Sequence, residues 1–476
     1  MSWPEIEPST SHLTYLLLSL FLIAFALFAE LVRNRIHLSE PPLATLAGIA
    51  FGPRGATILD PLTWGWEDNI SQEFTRVVIG VQVFTTGIEL PAKYIKKHAR
   101  GVSLLLGPNM VAGWFICTAI LHFVLGFNVR NCLVIAACLT PTDPVLSASV
   151  LGEARFSQRI PKRLRHILSA ESGCNDGSAF PLIYAGLYIM TAPSFGEGFK
   201  EWFLNVIIWQ CSVGIIVGVI LGLAANRALK FSEKRNFLQE ATLFVFYFLL
   251  AILCVGVGAT LGLDDFLVCF AAGQAFCWDG WFVSKTHKMK LPSIIDLLLN
   301  SVLFVYFGSI IPWHAFHDTI PPGKLILISV LVLLIRRLPA ILALKPFIRE
   351  IHTWNEALFA GHFGPMGVAA IFLAMEARAR LETGTSEVLP HPPRDINRAY
   401  NDVINHVWPI VSFVVLWSIM VHGFSALVMA VIGSFSRHEK ERAPLLGSET
   451  ARLYGMANEN GDMTDGEESG SDAEET

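Results

Sequence analysis

Thr140-Pro141-Thr142-Asp143-Pro144 stands in the middle of one long apolar segment, and Glu171-Ser172-Gly173-Cys174-Asn175-Asp176-Gly177 stands in the next. Pro141 and Pro144 have no backbone N–H to return to the preceding turn. Thr140 and Asp143, each before a proline, are pushed away from helical dihedrals. The pattern predicts a helix that unwinds at mid-segment and leaves carbonyls, hydroxyls and a carboxylate pointing inward. Backbone of that kind is tolerated at membrane depth only where it is buried or lines a water-filled cavity. In the second run Ser172 and Asp176 are four apart and share one helical face, while Glu171 and Asn175 share a neighbouring one. One stripe can then hold a cation while the other makes structural contacts.

The rest of the chain agrees that these segments lie in a bilayer. Of 476 residues, 53% are hydrophobic and 16% charged, against roughly 25% charged in a soluble domain. Mean hydropathy is +0.50. About 13 apolar segments centre near 23, 50, 82, 114, 141, 180, 214, 249, 270, 303, 333, 367 and 419, many near the roughly 20 residues a bilayer requires. The first is preceded by Glu5 and Glu7 rather than by a basic leader, so it reads as a span and not as a cleaved signal. The chain is thus expected to be an all-α polytopic membrane protein of about 13 transmembrane helices over 1–432, with an acidic, disordered cytosolic tail over 433–476.

Loop charges set the orientation. Basic residues follow the odd-numbered spans: Arg33 and Arg35, Lys93 to Arg100, Arg155 to Arg165, Arg227 to Arg235, Lys285 to Lys290, Lys345 and Arg349, Arg437 to Arg442. The even-numbered loops are acidic or nearly uncharged, apart from a long one from Glu376 to Tyr400. Cytosolic loops hold the Lys and Arg, so the N-terminus is placed outside and the C-terminus inside. Asn69-Ile70-Ser71, a glycosylation sequon, then falls in an external loop. The tail carries Glu441-Arg442-Ala443-Pro444-Leu445-Leu446, which has the form of an acidic dileucine sorting signal, and Ser469 and Ser471 among acids. The net charge of -5 comes largely from that tail. The eight cysteines, all in or beside apolar runs and without CxxC spacing, read as free thiols.

Ionisable groups in spans are the informative ones, because each costs about 2.5 to 3.5 kcal/mol at a helix centre. Glu171 needs a partner, and Arg336 and Arg337 in the eleventh span offer one. One of them faces the bundle and the other snorkels toward the cytosol; Arg337, next to Leu-Pro, is the expected partner. That leaves Asp143 and Asp176 as an unpaired acidic set, which reads as a cation or proton site. His362-Phe363-Gly364-Pro365-Met366-Gly367 places a second break in the twelfth span. Two interrupted helices in inverted halves mark the binding site of secondary transporters. Their facing dipoles are expected to be neutralised by Asp143 and by a basic group facing the twelfth span. Weaker candidates are Asp264 and Asp265, a cation funnel or a hydrated loop pair at the outer end of the ninth span, and His362, a proton sensor or a core histidine. Glu89 is expected to contact loop lysines, and Gly214, Gly218 and Gly222 to form a packing stripe.

Thr142-Asp143-Pro144 resembles the unwound-helix motif of the monovalent cation/proton antiporters, and Glu171-Ser172-x-x-Asn175-Asp176 resembles their Asn-Asp ion motif. With Gly87-Ile88-Glu89-Leu90-Pro91, the Arg-Arg-Leu-Pro run and the acidic tail, the chain is similar to fungal plasma-membrane Na+/H+ antiporters over nearly its whole length. The resemblance implies two inverted repeats, crossing unwound helices in spans five and twelve, and a homodimer. It also implies a dimerisation domain, against which a core domain moves like an elevator. It makes Asp176 the ion-carrying carboxylate, with Ser172, Thr142 and Asp143 completing the coordination of Na+ or Li+ in exchange for H+. Asn175 holds the unwound region, Thr140, Pro141 and Pro144 shape it, and Glu171 pairs with the span-eleven arginine. Asn175, where other branches carry a second Asp, suggests one-for-one exchange.

The rivals are a transporter of K+ or another solute on the same fold and, with only one compact polar cluster in view, an ion channel. HExxH and GxSxG are absent, which argues against an enzyme. No cofactor and no nucleic acid is implied, only membrane lipid and cytosolic regulators of the tail.

Overall fold

The computed structural model describes residues 10–32, 39–63, 67–91, 93–144, 146–147, 160–237, 239–286, 291–389 and 400–435. The sorting and kinase motifs of the tail lie outside the described residues. All regular structure among the described residues is helical. The principal elements are α1 (Thr10–Leu31), α2 (Glu40–Phe51) and α3 (Glu67–Glu89); α4 (Ala99–Leu125); α5 (Val129–Cys138), α6 (Lys162–Ser178) and α7 (Phe180–Thr191); and α8 (Phe195–Lys234). They continue with α9 (Glu240–Thr260), α10 (Asp265–Phe276), α11 (Leu291–Ile310), α12 (Pro322–Ile335), α13 (Leu338–Leu344), α14 (Trp354–His362), α15 (Val368–Glu382) and α16 (Asn401–Phe435).

Each apolar segment read from the sequence meets a helix or a pair of helices. Five stretches among the described residues are long and apolar enough to cross a membrane: Ala99–Leu125, Phe195–Lys234, Thr242–Thr260, Pro322–Phe347 and Asn401–Ser425. Several others fall short for visible reasons. Helix α3 carries Glu67, Asp68, Glu73, Arg76 and Glu89, while α5, α14 and α15 are halves of interrupted helices. The segment expected around residue 50 is displaced, since α2 is 12 residues long and stops at Phe51.

Polarity runs inside out, as a bilayer demands. Tyr15, Leu20 and Leu27 of α1 and Ile208, Ile216 and Ile220 of α8 are exposed, while Asp143, Glu171, Asp176, Asp264 and Arg336 are buried. Two crossings bring backbones nearly into contact, and both depend on glycine. A Cβ at Gly48 of α2 would lie 2.0 Å from the Val305 carbonyl oxygen of α11, and one at Gly308 2.2 Å from that of Thr45. Helices α10 and α3 repeat the arrangement, with Gly273 at 2.4 Å from the Phe84 oxygen and Gly87 at 2.9 Å from that of Phe270. The stripe of Gly214, Gly218 and Gly222 faces α10, where a Cβ at Gly222 would meet the Ala272 oxygen at 2.2 Å.

Two features around α3 and the end of α15 correct the sequence reading. The expected loop from Glu376 is helical as far as Glu382. Its charges are absorbed in pairs: Arg378 with Asp68 at 2.7 Å and Glu382 at 3.0 Å, and Arg380 with Glu376 at 2.9 Å. The sequon also sits in the first turns of α3 rather than in a loop. Asn69 donates to the Val388 carbonyl and the Ser71 hydroxyl is bound to Tyr306.

Candidate functional site

Helix α5 ends at Cys138, residues 141–143 have no regular structure, and helix resumes at Pro144. Helix α14 ends at His362, residues 363–367 are irregular, and α15 begins at Val368. The two unwound segments touch through their backbones, the Asp143 N–H donating to the Pro365 carbonyl at 2.7 Å.

Four helix ends thus converge in a buried place, two with free carbonyls and two with free N–H groups. Single side chains serve both ends of each kind. The Asp143 carboxylate accepts from the Leu146 N–H at 2.9 Å on one oxygen and from the Val368 N–H at 2.7 Å on the other. It caps the resumed helix of its own segment and α15 together. Arg336 does the converse. One guanidinium nitrogen donates to the carbonyls of Leu139, Thr140 (3.0 Å) and Pro141 (3.4 Å), and the other donates to Gly364 at 2.5 Å. Anions suit helix N-termini and cations suit C-termini.

Arg336 is therefore the expected basic group, and it corrects the reading that one arginine snorkels out: it is 4% exposed. Arg337 is the partner of Glu171, as expected. Arg337 Nη1 donates to one carboxylate oxygen and Nη2 to the other, the latter at 2.5 Å. Arg337 Nε also donates to the Ala360 carbonyl of α14 at 2.8 Å, so the pair ties α6 to the second broken helix. The two arginines sit at the junction of α12 and α13, where the helix is interrupted and both can turn inward.

Close packing makes this arrangement sensitive. A Cβ at Gly367 would fall 2.0 Å from Asp143 Oδ2. Gly367→Ala is expected to displace Asp143 from the Val368 N–H and to reduce transport more than tenfold in protein that still purifies as a folded species. Wild-type flux from this variant would refute the tight coupling.

On α6 the two expected faces are not separate, since Ser172 and Asn175 meet the same hydroxyl, that of Thr142. Asn175 holds the unwound segment. Its Oδ1 accepts from the Thr142 N–H at 3.2 Å, and its Nδ2 donates to Thr142 Oγ1 at 2.6 Å. The Thr142 and Ser147 hydroxyls each lie 3.1 Å from the Ser172 hydroxyl. Asp176, 1% exposed, has neither carboxylate oxygen hydrogen-bonded among the described residues. A buried carboxylate without partners is costly, so it must be protonated or meet a cation. The Asp264 carboxylate comes close to α6 at the next residue. A Cβ on Gly177 would lie 3.1 Å from Asp264 Oδ1.

Other candidates are placed differently from expectation. Asp264 and Asp265 are not a hydrated loop pair. Both are buried, Asp264 capping α10 through the Leu267 N–H at 3.0 Å and Asp265 pairing with Arg76 at 2.8 Å. Burial is possible because one caps and the other is neutralised. The His362 side chain is exposed rather than in the core, and Glu89 is exposed at the end of α3. Gly364 and Pro365 enter through their carbonyls, and Thr140 through its carbonyl and a hydroxyl that donates to Ala137 at 2.7 Å.

Ser147, Arg76, Ser418 and His422 were not singled out from sequence. For Ser147 the signal was its place one turn after Pro144, and for the last pair an i, i+4 polar pair in an apolar span.

A broken-helix pair with shared caps around a mid-bundle carboxylate is the architecture of a multi-pass ion transporter. The model of the family described as "Sodium/hydrogen exchanger, transmembrane" matches residues 20–431, and the chain belongs to that family. A Na+/H+ antiporter of Saccharomyces cerevisiae is 40% identical over 90% of this chain and 44% of its own length. A probable Na+/H+ antiporter of Schizosaccharomyces pombe is 40% identical over 89% of this chain and 57% of its own. This chain thus spans about half the length of those relatives. Another Schizosaccharomyces pombe Na+/H+ antiporter, 35% identical, is covered over 93% of its length and 91% of this chain. The structure of the sodium proton antiporter MjNhaP1 from Methanocaldococcus jannaschii superposes with a TM-score of 0.65 at 17% identity, covering 89% of this chain and 99% of the other. That likeness speaks for the fold.

Proposed function

We propose that the protein exchanges Na+ or Li+ for H+ across the plasma membrane by alternating access at Asp176. The observation that carries this reading is the Asp176 carboxylate, buried with both oxygens unpartnered among the described residues, on the helix whose Asn175 holds the first unwound segment. Asp176 takes either a cation or a proton. Ser172 and Thr142, whose hydroxyl oxygens lie 3.1 Å apart, supply further ligands. Hard oxygen donors suit small alkali cations. Only the loaded site crosses the barrier, because a bare carboxylate is costly in hydrocarbon. Inward proton flow then drives the cation out. Asp143 serves as the shared cap rather than as a ligand, and Asn175, Glu171, Arg336 and Arg337 support the site.

The architecture proposed with it has 13 spans in two inverted repeats. The glycine crossings support that arrangement: α2 with α11 and α10 with α3 are the same pair of contacts if the first half corresponds to the second turned over. An elevator-like core carrying α5, α6, α14 and α15, a homodimer, an external N-terminus and a cytosolic C-terminus complete the proposal. Exchange is one-for-one, since Asn175 brings no charge and spends its amide on Thr142.

Proteoliposomes carrying the purified chain are expected to show Na+- and Li+-driven internal pH changes that Asp176→Asn abolishes. Wild-type-like exchange by Asp176→Asn would sink the assignment. A flux driven only by K+ would move the substrate while keeping the site, and a strong response to clamped voltage would refute the stoichiometry.

A further inference from the structure

The second unwound segment is braced from outside the broken-helix pair. On α16, Ser418 and His422 lie one turn apart, both buried at 0% and 1% exposure in an otherwise apolar stretch. The Ser418 hydroxyl accepts from the Met366 N–H at 2.7 Å, a donor inside the break with no place in either half-helix. His422 Nε2 lies 3.2 Å from the His362 carbonyl, the last of α14. Its Nδ1 faces Ser418, 3.4 Å from the hydroxyl and 3.0 Å from the carbonyl. With the ring proton on Nε2, the Ser418 oxygen accepts from the Met366 N–H and Nε2–H donates to the His362 carbonyl, and these two contacts close a circuit through one turn of α16.

The circuit begins at one side of the interruption and ends at the other. It sets the distance between His362 and Met366, and hence the course of the chain through Gly364 and Pro365. Those residues carry the carbonyls that Arg336 and the Asp143 N–H engage. The clamp is itself held in place. Pro42 of α2 packs so closely on Gly423 that a Cβ there would lie 2.1 Å from Pro42 Cγ, and the Ser39 hydroxyl donates to the Gly423 carbonyl at 3.4 Å.

We infer that Ser418 and His422 are positioning residues for the ion site: they fix the second unwound segment, and through Pro365 and Asp143 they set the placement of Thr142 beside Asp176. Neither touches the ion. The inference rests on the reading of Asp176 as the cation site, so its consequence is a change in apparent Na+ affinity. A side chain that only stabilised the fold would change the amount of active protein and leave affinity unaltered.

The experiment uses the full chain in proteoliposomes and measures Na+-driven proton flux against Na+ concentration, normalised to folded protein. Ser418→Ala and His422→Phe each remove one link. Each is expected to raise the apparent KM for Na+ about fivefold to tenfold, the order of one buried hydrogen bond, with a smaller change in maximal rate. Ser418→Thr keeps the hydroxyl, and His422→Gln keeps a donor and an acceptor on a reaching arm; both are expected within about twofold of wild-type KM. If His422→Phe yields no folded protein, Ser418→Ala decides: a raised KM supports the clamp and a wild-type one overturns it. If Ser418→Ala and His422→Phe keep wild-type KM while Asp176→Asn is inactive, the clamp fails and the site stands. Exchange by Asp176→Asn would remove the site, and with it the clamp's stated purpose.

Discussion

Arg336→Met is expected to abolish cation-driven proton flux, at least a hundredfold below wild type per folded molecule, or to prevent folding. A methionine has the length of the arginine stem and none of its donors. It would leave the carbonyls of Leu139 and Gly364, and the weaker contacts to Thr140 and Pro141, without a partner in a buried place. A buried carbonyl left unsatisfied costs about 1 to 3 kcal/mol, so two of them cost on the order of 2 to 6 kcal/mol. The positive charge that opposes the negative ends of two helices goes as well. Arg336→Lys keeps charge but offers one nitrogen instead of a fork. It cannot serve both helix ends at once, and it is expected to fold and to transport at an intermediate rate. The measurements are size-exclusion profile and thermal unfolding in detergent, followed by flux in proteoliposomes. Methionine at wild-type rate would show that the helix ends need no shared cap.

The helical segments could be read from the sequence because hydropathy and loop charge are additive along a chain, and the bilayer acts on each segment in turn. The break at Pro141 and Pro144 was legible for a similar reason: proline acts on its immediate neighbours, so local sequence suffices. Helical spacing divided α6 into a Ser172–Asp176 face and a Glu171–Asn175 face; Asn175 does hold Thr142, but Ser172 meets the same hydroxyl, so the division is not clean. Long-range pairing was less legible. Arg336 looked like the spare of two adjacent arginines, and nothing within the run Ile335-Arg336-Arg337-Leu338 shows that the kink turns both inward. For Asp143 the sequence offered two roles, an ion ligand and a neutraliser of the facing helix ends. Its engagement with Val368, a residue of another segment, became visible only in three dimensions. Ser418, His422 and the partners of Arg378 escaped for the same reason: their roles depend on which helix lies opposite.

Glu171 and Arg337 provide the second large effect, and removing one partner should differ from removing both. The pair is buried at 1% and 7% exposure, with each terminal nitrogen on its own carboxylate oxygen. Glu171→Leu leaves a guanidinium in an apolar interior, and Arg337→Met leaves a carboxylate there. Breaking such a pair costs about 3 to 5 kcal/mol, whereas replacing both members by apolar groups of similar volume is often neutral. Each single variant is therefore expected to lose most of its folded yield and to unfold at markedly lower temperature. The double variant Glu171→Leu with Arg337→Met is expected to regain most of that loss. Recovery should be incomplete, because Arg337 Nε also satisfies the Ala360 carbonyl, and Asn109 donates to Glu171 at 3.4 Å. The unmet Ala360 carbonyl sets the residual deficit at about 1 to 3 kcal/mol. Transport should recover less than stability, since the pair also fixes α6, and with it Ser172 and Asp176, against the second broken helix. A double variant no more stable than the singles would mean that the two charges do not act as a pair, and that each has some other partner in the folded protein.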